Sequence, residues 1–207
     1  MKYHIISVLI LTLYACIDTH DKSQNVLSNF KFPTNYSQKQ VVSNEFPSKE
    51  NAHPNAKRLM NEDFYWSPID ESAPFGSDDG ADTYNGFATW RQRNKTEKPM
   101  VFFIAQINSW GYPTFDFNET SFDKLEPYLR QTELGSRFMS GIDAAIVSIA
   151  FGQLYLEGTI DDDFKELAKT TILRQLIPEM LNFWDDTYKH TRESQLKVML
   201  EDLKQVS

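Results

Sequence analysis

One cysteine, Cys16, occurs in 207 residues, so the chain cannot close an internal disulfide or build a multi-cysteine metal site. Histidine is nearly as scarce. His4, His20, His53 and His190 are scattered, with no HExxH or His-x-His companion, and a zinc-hydrolase pattern is therefore missing. No G-x-S-x-G nucleophile turn occurs either. Basic side chains are outnumbered, 21 Lys and Arg against 29 Asp and Glu, giving a formal charge of −8 at pH 7. No Lys/Arg stripe offsets that acidity, so phosphate backbones are repelled and nucleic acid is not an expected partner. Internal repeats with a period of 20 to 50 residues are absent.

What is present begins with the first sixteen residues. Lys2 supplies a positive start, Ile5 to Leu13 an apolar stretch, and Ala15 a small residue directly before Cys16. The apolar stretch would be roughly 13 Å long as a helix, against a hydrocarbon core of about 30 Å. It is too short to span and stay, but it suits an export signal. The segment Leu13-Tyr14-Ala15-Cys16 resembles the bacterial lipobox, in which the cysteine accepts a diacylglyceryl group and the chain is cut before it. Tyr14 is bulkier than usual at its place. Two other readings are an ordinary cleaved signal and a buried N-terminal element with Cys16 as apolar filler. The expectation is a signal peptide over 1–15 and a lipid anchor on Cys16. Ile17 follows, where Asp would mark inner-membrane retention in enteric bacteria. That points to the outer membrane over the inner, facing the periplasm or the surface, although Asp18 lies one place later. Loss of residues 1–15 removes one lysine and no acid, leaving 20 basic against 29 acidic side chains and a charge of −9.

From Ile17 to about Lys49 the chain turns polar, without a helical or strand period, and Pro33 and Pro47 punctuate it. This composition predicts a tether over 16–50, with docking of Val41-Val42 or Phe46 as the alternative. Residues 51–207 then suffice for one domain, and 14% aromatic residues allow a sizeable core.

The predicted fold is mainly α: a single compact helical domain opening on an irregular loop rich in aromatics, Pro and Gly. Pro54 suits a first helical turn. Residues 64–82 carry too many Pro and Gly to be a regular helix. A helix is expected from about Ala81 to Arg93. Residues 99–110 read as buried strand or buried helix, and Pro99 at the start with Gly111 at the end favours helix. Thr120, three places before Asp123, predicts a capped short helix. Ser140, three before Asp143, predicts a cap for a helix over 141–156 that is apolar nearly all round and hence central. Gly158 should end it. Asp161-Asp162-Asp163 opens the next helix, with Phe164, Leu167, Ala168, Thr171, Ile172 and Leu176 buried. Pro178 begins or kinks a further segment carrying Leu181, Trp184 and Tyr188, and a final helix buries Leu196, Met199, Leu200 and Leu203.

Candidate chemistry is thin. Asp78, Asp79 and Asp82, with Gly76 and Gly80 between and before them, invite a cation site, but the EF-hand spacing and its distal Glu are missing. The plainer reading is that Asp78 or Asp79 caps the next helix. Asp70 and Glu71, with Asp78, could supply the paired carboxylates of a glycoside hydrolase, and Trp66, Trp90 and Trp110 could stack on sugars. The same aromatics are what a small core needs. Glu157 and Arg174-Gln175 are expected to make surface or interhelical polar contacts.

Phe64-Tyr65-Trp66-Ser67-Pro68-Ile69-Asp70-Glu71, followed by Pro74-Phe75-Gly76-Ser77-Asp78-Asp79-Gly80-Ala81-Asp82, is similar to the start of the uncharacterised bacterial YfeS-like proteins. The element Pro74 to Asp82 also resembles small domains that open with G-P-F-x-N-D-x-A-x-D before a helical body. Asp143 to Gln175, including Leu156-Glu157-Gly158-Thr159-Ile160-Asp161, fits such a body, and the resemblance covers roughly residues 54 to 188. It implies an α-rich fold and offers no activity or catalytic residue to transfer. A lipobox leader departs from the cytoplasmic form of that family. Together these readings lead to the expectation of a lipid-anchored cell-envelope protein without a cofactor. Its domain would bind another protein, for instance as an immunity-type lipoprotein whose acidity suits a basic toxin. The alternative is a cell-envelope hydrolase using the acids of residues 70–82.

Overall fold

The computed structural model describes residues 46–206. Cys16, the expected signal segment and residues 16–45 of the expected tether lie outside the described residues. Within them are eight α-helices and no strand: α1 (Pro54–Leu59), α2 (Asp78–Arg93), α3 (Pro99–Trp110), α4 (Phe122–Arg130), α5 (Gly135–Glu157), α6 (Asp162–Gln175), α7 (Pro178–Leu181) and α8 (Asp186–Gln205). Two 3-10 turns, Lys49–Asn51 and Asp63–Trp66, flank α1. The mainly helical fold read from the periodicity is the fold observed.

Helix α5 is the axis of the packing. It contacts α1, α2, α3, α4 and α6, while α8 lies against α6. Ile142, Ile146, Ile149, Phe151 and Leu154 are all fully buried along it, each stabilising the fold by roughly 1.5–3 kcal/mol. By length and composition this helix could cross a membrane, but 83% of its apolar window is covered by its neighbours. Its all-round apolarity therefore reflects a central position. Residues 99–110 form α3, ended by Gly111 in the left-handed region. The strand alternative fails because Pro99 at the first helical position leaves no donor unsatisfied and Gly111 takes the positive φ that stops the helix.

Three helix starts differ from expectation. Helix α2 begins at Asp78, and its cap is Ser77, whose Oγ accepts from Gly80 N at 3.1 Å. Asp78 and Asp79 fall in the first turn, where their charge favours the helix without capping it. Helix α4 has Ser121 at its N-cap with no side-chain cap. Glu119 Oε1 instead accepts from Thr120 N at 3.0 Å and Ser121 N at 2.8 Å. Helix α5 begins at Gly135, not at Ser140, because Met139 on the preceding turn is itself fully buried and packing carries the helix back through it. Upstream of α1, Phe46 stands edge-on to Phe75, ring centroids 6.5 Å apart, so the packed body extends into the segment expected to be tether.

Candidate functional site

The acids of residues 70–82 hold the loop in place. Asp70 Oδ1 accepts from Ser72 N at 2.9 Å and from the Tyr188 hydroxyl at 2.7 Å, and its Oδ2 accepts from Gln195 Nε2 at 2.6 Å. These bonds fasten the loop to α8. Asp79 pairs with Arg137 of α5, Nη1 to Oδ2 at 2.5 Å, while Asp78 and Asp82 are exposed. Among the described residues no group of three or more His, Cys, Asp or Glu side chains is arranged to hold a metal ion. Trp66, Trp90 and Trp110 pack against the core. Glu157 chelates Arg91 (Nε to Oε1 2.5 Å, Nη2 to Oε2 3.0 Å) and accepts from Gln153 at 3.0 Å. Burial pushes its carboxyl up, but the bonds from Arg91 and Gln153 and the Arg91 charge outweigh that and hold it below its ordinary value.

The unexpected feature is a pair of buried arginines. Arg174 on α6 is fully buried and meets Asp143 on α5, Nη2 to Oδ1 at 2.6 Å. Its Nη1 donates to the carbonyls of Phe117 (2.8 Å) and Glu119 (3.1 Å), and the guanidinium lies 5.1 Å from the Phe115 ring centroid. One side chain thus pins the segment between α3 and α4 to the core. Burial pushes the Asp143 carboxyl up from its ordinary value, and the Arg174 guanidinium opposes it.

Arg192 on α8 is 6% exposed. Its Nη1 donates to Glu71 O (3.3 Å) and Ser72 Oγ (3.2 Å), and its Nη2 to Gln175 Oε1 (2.6 Å). Trp184 stacks on it, ring centroid 4.0 Å from the guanidinium carbon. Those three acceptors are all neutral, and among the described residues no carboxylate forms an ion pair with it. Among the described residues, the buried side-chain atoms without a hydrogen-bond partner are Trp66 Nε1, Thr83 Oγ1, Gln195 Oε1 and Arg192 Nε. Only the last belongs to a charged group. Burial pulls the guanidinium below its ordinary value, opposed by Tyr188, Asp143 and Glu71, yet arginine remains protonated.

Two clefts of about 230 and 270 Å³ adjoin here and share Arg137, Ser140, Gln175, Trp184 and Arg192. The first adds Glu71, Asp78 and Asp79. The second adds Met180 and Phe183 and is the more apolar. Sequence reading missed Asp143, Arg137 and Arg192 as functional positions and placed Arg174 and Gln175 at surface or interhelical contacts; both are buried. A signal existed: Arg192 stands four residues before Leu196 and seven before Met199, on the buried stripe of α8. An arginine on such a stripe needs a partner inside.

No protein-family model, curated protein or solved structure matches the chain.

Proposed function

We propose that this chain is a lipid-anchored cell-envelope protein whose helical domain works by binding a partner and not by catalysis. The observation that carries the reading is the fate of the loop acids. Asp70 takes three hydrogen bonds from its own fold and Asp79 an arginine, so two of the loop's carboxylates are engaged in holding it, while Glu71 and Asp78 stay exposed. The anchor is Cys16, on the strength of its lipobox-like setting. The net acidity of the chain suits a basic protein partner, as for an immunity-type lipoprotein.

Two measurements test this. Cys16→Ser should leave the precursor uncleaved and without acyl label, and a variant processed and membrane-bound as before would sink the anchor. Detergent-solubilised full chain, immobilised and exposed to envelope extract, should retain a specific basic protein. Retention of none, with glycan hydrolysis by the same preparation that Asp70→Asn abolishes while the melting temperature holds, would favour the hydrolase instead.

A further inference from the structure

We infer that the paired clefts around Arg192 bind a carboxylate carried on a small apolar body. This deepens the binding reading by naming the chemistry of the recognised group. Arg192 is a buried cation whose hydrogen-bond partners within the fold are all neutral; Asp143 and Glu71 act on it only through space, and a buried charge without a direct ion pair is costly. Its Nε–H lacks an acceptor. A guanidinium offers five N–H donors, and the Nε edge of the fork matches the two oxygens of a carboxylate. Arg137, half exposed on the wall shared by both clefts, is paired with Asp79 and leaves its remaining N–H donors at the mouth.

The rest of the wall narrows the ligand. Met180, Phe183 and Trp184 line the second cleft, and Phe183 is 54% exposed, a surface suited to an aliphatic or aromatic group. A volume of about 270 Å³ lies at the small end of ligand pockets. One negative charge suffices for one unpaired guanidinium. Glu71, Asp78 and Asp79 on the adjoining cleft and Asp143, which faces the second, repel any anion, and a phosphate dianion about twice as strongly as a carboxylate. Asp143 makes its direct ion pair with Arg174 and reaches Arg192 only through space. Such a carboxylate has two sources, a free organic acid and the C-terminus of a peptide.

Calorimetric titration of the full chain in detergent separates them. The probes are 3-phenylpropionate, the dipeptide Gly-Phe, its C-terminal amide, and inorganic phosphate. Binding of 3-phenylpropionate alone assigns the free acid, and tighter binding of Gly-Phe assigns the peptide terminus. The amide and phosphate should not bind. Arg192→Gln should weaken the bound probe roughly ten- to hundred-fold. Because that residue is buried, Phe183→Ala at the open rim is the second variant, expected to weaken binding with the melting temperature unchanged, and Arg137→Gln, which also breaks the Asp79 pair, should weaken binding with a slightly lower melting temperature. No heat with either acid at millimolar concentration, equal binding of the amide, or equal binding of phosphate would each overturn the inference. Its failure would leave the retention of a protein from envelope extract unaffected, so the two readings fail separately.

Discussion

Asp143 and Arg174 make the most exposed wager of the fold at the scale of single residues, since each is buried and leans chiefly on the other to offset the cost of its buried charge. Arg174→Met should cost about 3–5 kcal/mol, the range for stranding one member of a buried pair, read as a lowered urea midpoint. Adding Asp143→Leu removes the stranded carboxylate and should recover part of the loss, but not all. The Phe117 and Glu119 carbonyls that Arg174 serves would still be orphaned. Full recovery would mean that those loop contacts contribute nothing. Glu157 gives the pH-dependent case. Its folded pKa is depressed below the ordinary 4.5, so its contribution is present above that value and disappears as pH falls through the folded one. Glu157→Gln should cost about 1 kcal/mol at pH 7, allowing for solvent screening, and the gap to the parent should close as pH falls through the depressed folded value. A gap independent of pH would show that the carboxylate charge is not what matters there.

Helix ends govern the next scale up. Gly111 and Gly158 both stand in the left-handed region, at φ 67 and 76, and the sequence already marked both as stops. Their surroundings differ. A Cβ on Gly111 would meet nothing, whereas one on Gly158 would overlap the His53 ring, at a junction where His53 N donates to Tyr155 O and Asn55 Nδ2 to Gly158 O. Gly111→Ala should therefore cost about 1 kcal/mol of backbone strain, while Gly158→Ala should cost more than about 2, because the clash adds to the strain. Equal losses in thermal denaturation would refute the close approach. The stops were legible because a residue type alone carries the signal. The starts were less so. Asp78 or Asp79, Thr120 and Ser140 read as caps, and none acts as one: Ser77 caps α2, while Ser121 and Leu134 stand at the starts of α4 and α5 without a side-chain cap. What decides among them is whether the preceding turn has something to bury, and Met139 does.

For the whole molecule, one helix organises everything. The unbroken apolar surface of α5 announced its central position, and five other helices contact it. The same surface would suit a membrane span by composition, and only the neighbours covering it decide otherwise. The candidate site was the least legible part. Its residues come from the 71–77 loop, from the start of α2, from α5, from the end of α6, from α7, from Phe183 and Trp184 and from α8, and no local pattern links positions so far apart.

The sequence by itself determined the helical class, the glycine stops, the acidity and the setting of Cys16, because each follows from residue type and near-neighbour spacing. Tertiary structure decided which charges face inward and with whom. Asp143 read as the acid of a capping box and became the partner of an arginine 31 residues away. Arg192 read as one polar residue of a final helix and became a buried cation whose hydrogen-bond partners are all neutral. Pairing across helices depends on how they pack, and that is settled only when the whole chain is folded.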